Sequence, residues 1–224
     1  MAQHKSSTNH CTPSATLSLI EGYKRFRQIY FEKQNIFNKL VEKGQSPKTL
    51  FIACCDSRVD PAIITDCNPG ELFVIRNIAN LVPKFNQDPR HISTSAAIEY
   101  AVIYLNVSDI VIMGHSHCGG IRACLEEIST ENHTKNSAIP AWVDLIQPAK
   151  KALLENNSSG TTDEKAALLE KASLIQSLQN LNTFPWIKER VNKEQLQLHA
   201  WYFQLETGAI ESYQIEIDRF IPLA

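Results

Sequence analysis

Short apolar runs alternate with helix-patterned stretches, and that alternation constrains this chain more than any other feature. Thr49 to Ala53, Leu72 to Ile75 and Asp109 to Met113 read as buried strands. Pro61 opens a short helix between the first two. Ser93 to Leu105 carries helical periodicity through Ala96, Ala97, Tyr100, Ala101 and Tyr104, and a Gly-rich turn with a helix from about Gly120 follows the third run. Strands separated by helices in this way pair in parallel. The predicted fold class is therefore α/β, a mostly parallel central β-sheet flanked by α-helices.

Further along, Ile139 to Val191 reads mostly as helix, broken by the polar loop Asn156 to Gly160, with capping-box spacing at Thr161 and Glu164. Leu196 to Leu205 and Ala209 to Ile217, split at Thr207-Gly208, read as a strand pair closing the sheet. At the other end, residues 1–13 read as a disordered tail and 14–224 as a single domain. From Ser14 a helical pattern runs through Leu19, Ile20, Tyr23, Phe26, Tyr30, Ile36, Phe37, Leu40 and Val41, with Gly44 as its stop. Such an amphipathic helix either packs on the core or serves as an N-terminal arm against a second subunit.

The chain has 224 residues, 43% of them hydrophobic, which suffices for one core and argues against several domains. A net charge of −2 with no basic block argues against a nucleic-acid partner. No apolar run approaches the ~20 residues that span a bilayer. The polar N-terminus lacks a signal core, so the expected location is the cytoplasm. The cysteines, Cys11, Cys54, Cys55, Cys67, Cys118 and Cys124, then read as reduced thiols.

Cys54 follows the first strand; His115 and Cys118, three apart, follow the third. Ligands bind at the carboxyl ends of strands in open parallel sheets, so these chain-distant residues can meet. Two thiolates and an imidazole are a zinc ligand set, and three ligands leave a tetrahedral ion one open position, the mark of a catalytic site. The alternative is a set of buried structural thiols beside a turn. Asp56 is a natural acceptor for a group bound at the metal, held ionised by Arg58. The pair reads otherwise as a surface ion pair, or Asp56 itself binds zinc and closes the site. Cys55 reads as packing, Cys67 and Cys124 as buried small hydrophobes, and Cys11 as part of the tail. His117 is either a local hydrogen-bonding residue or a proton carrier. Neither a phosphate loop, for want of Gly-Lys-Ser/Thr, nor a serine hydrolase, for want of Gly-x-Ser-x-Gly, fits the remaining motifs.

Cys-x-Asp-x-Arg at Cys54, Asp56 and Arg58, with His-x-x-Cys-Gly-Gly from His115 to Gly120, resembles the signature of the β-class carbonic anhydrases. The likeness extends to Arg76-Asn77-Ile78-Ala79-Asn80, to Ala96 to Val102 and to Leu198 to Tyr202 with Glu206-Thr207-Gly208, covering roughly residues 35 to 215. The resemblance implies reversible hydration of CO2 to bicarbonate and a proton, with one Zn2+ per chain held by Cys54, His115 and Cys118, and zinc-bound hydroxide attacking CO2. Asp56, Arg58 and Gln45 would be catalytic, Gln45 matching a glutamine that donates to the substrate oxygen. Gly119 through its N–H, with Phe73, Ile78 and Tyr100 lining an apolar pocket, would bind substrate. Gln45, and Phe51 where members closed by the aspartate carry Trp, make the chain similar to the open, plant-type subclass. Cys55 stands where Ser is commoner, placing a vicinal thiol pair at the site. The family also implies a homodimer or a tetramer or octamer, with part of the cleft at the subunit interface. Two rival readings keep the zinc: a hydrolase of carbon disulfide or carbonyl sulfide, and a closed-site structural protein.

Overall fold

The computed structural model describes residues 15–86, 89–126, 137–156 and 159–224. The tail read over residues 1–13, with Cys11, lies outside them. The chain divides into two compact units, the first ending at Gln45 and the second running from Ser46 to Ala224. That division falls inside the stretch 14–224 which the sequence reads as one domain.

In the first unit the helical pattern from Ser14 is interrupted. Helix α1 (Ala15–Arg27) widens into a π-type turn over Gln28–Lys33, and a second helix, α2 (Ile36–Lys43), follows. The break sits at Asn35, whose φ of 51° is left-handed, a conformation Asn tolerates better than most residues. Gly44 ends α2 as expected, with φ of 69°. None of the residues in the π-type turn or α2 is buried. What holds the unit is aromatic contact: Phe31 stacks on Phe37 with ring centres 4.8 Å apart, and Phe26 meets Tyr30 at 4.9 Å.

The second unit is built on β1 (Thr49–Cys54), β2 (Leu72–Asn77), β3 (Asp109–His115), β4 (Gln197–Phe203), β5 (Ile210–Gln214) and β6 (Arg219–Pro222), in spatial order β2-β1-β3-β4-β5-β6. The first four of that row are parallel; β5 and β6 are antiparallel additions. The three expected strands are all present, each one or two residues longer than its apolar run. β4 and β5 form the closing hairpin, turning at Gly208 with φ of 74°. The short β6 holds only Phe220 and Ile221 between Arg219 and Pro222, too brief an apolar run to be read as a strand from the sequence.

Side chains alternate across the sheet. Leu50, Ile52, Ile110, Ile112 and Ala200 join one buried cluster with Ile98, Leu178 and Phe184. Phe51, Ala53, Val111 and Met113 join the other with Val59, Ile121, Ile146 and Leu169. Both faces of the central strands are thus dry, which is why they read as unbroken apolar runs. The helices are α3 (Pro61–Ile64), α4 (Ile92–Glu99, continued by a π-type turn to Tyr104), α5 (Gly119–Leu125), α6 (Ala138–Val143), α7 (Gln147–Asn156), α8 (Thr162–Leu181) and α9 (Pro185–Asn192). The long α8 starts on the capping box expected from Thr161 and Glu164. Asp60 caps α3 by accepting from the Ala62 and Ile63 N–H groups.

Candidate metal and active site

Chain direction puts the site where it is. From β1 the chain goes to its neighbour β2 on one side; from β3, adjacent to β1, it goes to β4 on the other. The loops leaving β1 and β3 therefore part and open a crevice at their carboxyl ends, the place where open α/β sheets bind ligands. Cys54 is the last residue of β1 and His115 the last of β3. Cys118 caps α5 one turn later.

These three bring their ligand atoms within 4.8 Å of one another, all buried. The sulfurs of Cys54 and Cys118 are 4.0 Å apart. Two thiolates on one tetrahedral zinc, at Zn–S near 2.3 Å, stand about 3.8 Å apart. The His115 ring is equally well prepared. Its Nδ1 lies 2.8 Å from the Ser116 carbonyl oxygen, an acceptor only, so Nδ1 carries the proton. Nε2 is left with its lone pair, buried and without a hydrogen-bond partner. Leaving such an atom unpaired costs about 1–3 kcal/mol, and a metal ion removes that cost. The contact between the two sulfurs draws the pKa of Cys54 down and, with burial, drives that of Cys118 up, so the pair favours a single negative charge.

Asp56 and Arg58 form the bidentate pair expected of them. Arg58 Nε donates to Asp56 Oδ1 at 2.9 Å and Nη2 to Oδ2 at 2.7 Å. The Arg58 guanidinium holds the Asp56 carboxyl well below the usual carboxylate range. Asp56 Oδ2 lies 3.9 Å from His115 Nε2, so the carboxylate borders the cluster while it is committed to the arginine.

The other expected site residues divide. A Cβ on Gly119 would meet nothing within 4 Å, so its backbone faces open space. Gly120 differs: a Cβ there would lie 2.7 Å from Ile78 Cγ2 and 3.0 Å from the Ala79 Cβ. Gly120 is needed for packing, and Gly120→Ala is expected to cost about 1–3 kcal/mol, read as a lowered Tm. Ile78 is thereby brought to the site. Phe73 and Tyr100 are not: their rings pair at 5.9 Å, and Phe73 packs on the cluster containing Leu50, the face away from Cys54. Tyr100 is largely exposed. Gln45 belongs to the first unit.

Cys55 corrects the sequence reading: it is exposed, because β1 ends at Cys54 and the chain turns outward. Cys67 is half-buried and accepts the Thr65 hydroxyl at 3.1 Å, whereas Cys124 is buried as expected. His117 is held across the chain, its Nε2 on Glu206 Oε1 beyond β4.

Two supporting residues escaped the sequence analysis. Arg76 donates from Nε to the Cys54 carbonyl at 3.0 Å, from Nη2 to the Asp56 carbonyl at 2.7 Å and from Nη1 to Asp60 Oδ2 at 3.0 Å. One guanidinium thus fixes the strand end, the Asp56 loop and the α3 cap. Glu170, buried in α8, accepts from the Cys118 N–H at 2.9 Å and the Tyr202 hydroxyl at 2.8 Å. Burial pushes its carboxyl pKa up, opposed by those two donors. The signal for Glu170 was a charge set among Ala166, Leu169, Ser173 and Leu174, the buried positions of its helix.

The fold is that of an α/β protein with a buried Cys–His–Cys cluster, able to hold a metal ion, at the switch point of a parallel sheet. Comparison with known proteins narrows this. The carbonic anhydrase family model matches residues 49–210. The carbonic anhydrase of Pseudomonas aeruginosa is 37% identical over 92% of this chain and 91% of its own. That of Synechococcus elongatus is 35% identical over 86% and 69%. Among solved structures, the β-carbonic anhydrase CcaA superposes with a TM-score of 0.86 at 32% identity, covering 93% of this chain and 92% of that one. One of two tetrameric β-carbonic anhydrases from the ascomycete Sordaria macrospora gives 0.72 at 29%, covering 88% and 94%. This chain belongs to the β-class carbonic anhydrases, enzymes that interconvert carbon dioxide and bicarbonate. Neither the linear-sulfide hydrolase nor the closed structural protein is favoured by these relatives. No helix among the described residues is long and apolar enough to cross a membrane.

Proposed function

We propose that Cys54, His115 and Cys118 hold one Zn2+ per chain and that Asp56 and Arg58 serve CO2 hydration there. The observation that carries this is the lone pair of His115 Nε2, buried and unpaired, facing two sulfurs at the separation a tetrahedral zinc requires. Zinc, when bound, acidifies water to a pKa near ~7 and so supplies a nucleophile at neutral pH, carbonic anhydrases being the standard example. Asp56, ionised, would accept a hydrogen bond from a group bound at that metal and orient it toward CO2. Arg58 keeps Asp56 ionised and engaged by two hydrogen bonds. This arrangement supports an open site of the plant type. The Gly119 N–H, at the start of α5, is positioned to donate to the charge that develops on the substrate oxygen. Gln45 is a second donor in this reading.

CO2 needs a dry apolar wall as well. Ile78 supplies part of it. Phe73 and Tyr100 face away from the cluster of their own chain, so in this reading they line the cleft of a second copy, and the enzyme is a homodimer or a higher assembly. The tetrameric Sordaria enzymes support that view. The thiolate ligands favour a reducing compartment, the cytoplasm.

Stopped-flow CO2 hydration across neutral to mildly alkaline pH, with zinc measured on the same sample, tests the proposal. Expected are about one zinc per chain and a rate that rises with pH. Zinc at that level with no hydration at any pH would refute it.

A further inference from the structure

The Asp56–Arg58 pair is closed within its own loop: every contact of Arg58 to Asp56 spans two residues. The Arg58 side chain is half exposed. The Arg58 backbone N–H also donates to Asp56 Oδ1 at 3.0 Å and ties that oxygen to the loop, whereas Oδ2 is oriented by the guanidinium. Arg76 holds the Asp56 backbone carbonyl, not its carboxylate. Among the described residues, the hydrogen bond that ties the Arg58 guanidinium to another loop runs from Nη2 to the His117 carbonyl oxygen, at 3.3 Å.

That carbonyl is aimed by an unusual backbone. His117 has φ of 55°, in the left-handed region that few non-glycine residues adopt. The surrounding contacts account for it. The His117 ring pairs through Nε2 with Glu206 Oε1. The second oxygen, Glu206 Oε2, accepts the Ser116 hydroxyl at 2.8 Å, and Ser116 Oγ in turn accepts the Leu205 N–H at 2.9 Å. The Ser116 N–H donates to the Phe203 carbonyl at 3.0 Å. One carboxylate beyond β4 thus grips two successive residues of the turn between His115 and Cys118. A cavity of about 290 Å³, lined by His117, Glu206, Glu170 and Tyr202 among others, borders this grip, so space for the turn to relax is at hand.

We propose that Ser116, His117 and Glu206 form a clamp that positions the Arg58 guanidinium, and through it the Asp56 carboxylate, beside the Cys54–His115–Cys118 cluster. The three are positioning residues; none touches substrate. Without the clamp the His117 carbonyl swings off Arg58, and Asp56 Oδ2 loses the fixed direction of its guanidinium partner while Oδ1 stays on the Arg58 N–H. The consequence for catalysis rests on the role given to Asp56 above, whereas the clamp itself is made of contacts among the protein's own side chains and backbone.

The test is 15N NMR of the arginine side-chain N–H groups in the full-length protein, comparing wild type with Glu206→Ala and His117→Gly. The glycine removes the ring yet accepts the left-handed backbone. Arg58 Nη2–H, the donor to the His117 carbonyl, is expected to exchange with solvent about five-fold faster in both variants, the factor that one lost hydrogen bond yields. Arg76 Nε–H, bonded to the Cys54 carbonyl, serves as the internal reference and should be unchanged. After zinc loading, kcat should fall by a similar factor with zinc stoichiometry intact. Unchanged Arg58 exchange in both variants overturns the clamp. So does equal acceleration at Arg58 and Arg76, which would mean general loosening. Should the wild type bind zinc and fail to hydrate CO2, the role of Asp56 falls, and the Arg58 exchange rates still decide the clamp.

Discussion

His115→Ala is expected to abolish stoichiometric zinc and to return CO2 hydration to the uncatalysed rate. The ring does two things at once: it presents a buried lone pair with no hydrogen-bond partner among the described residues, and its Nδ1–H is fixed on the Ser116 carbonyl so that the lone pair faces the sulfurs. Alanine leaves two cysteine sulfurs 4.0 Å apart with no third ligand. Metal analysis of the purified variant after dialysis, alongside stopped-flow assay, reads both effects. A variant that retained about one zinc per chain would mean that another residue completes the ligand set.

Asp56→Asn is expected to keep zinc and lose about 10²-fold in kcat, the usual scale for removing a positioned acid–base or hydrogen-bonding group. Asparagine has nearly the same shape, so packing survives, but one of its two terminal atoms becomes a donor and faces Arg58, itself a donor. The bidentate pair at 2.9 and 2.7 Å is lost. The same variant changes the acid limb of stability. The folded pKa of Asp56 lies below its unfolded value, so its contribution is present above the unfolded pKa, near ~4, and is lost as pH falls through the folded one. Asp56→Asn should therefore be destabilised relative to wild type at neutral pH, with the difference shrinking below about pH 4. Urea unfolding at several pH values measures this, and a difference that grew on acidification would contradict the pairing with Arg58.

The ligands were legible because each is bound to a sequence signal that survives folding: a cysteine at the end of one apolar run, and a histidine and cysteine three apart at the end of another. Asp56 and Arg58 were legible because their contact is local. Arg76, Glu170 and Glu206 were not, since their partners lie 22, 52 and 90 residues away. Their roles exist only after the chain has closed. Phe73 shows a different limit. Alternation within β2 was readable, but which face met which came from the register Leu50↔Phe73, and that put Phe73 on the side away from Cys54. Cys55 shows the limit at a strand end, where one further residue turns from the core to solvent.

Arg76 spans the end of β1, the Asp56 loop and the cap of α3 with a single side chain. Three successive features of the chain thereby share one anchor, supplied from β2. A change at Arg76 is felt at Cys54, Asp56 and Asp60 together, so substitutions at these positions are coupled in their effects and do not add.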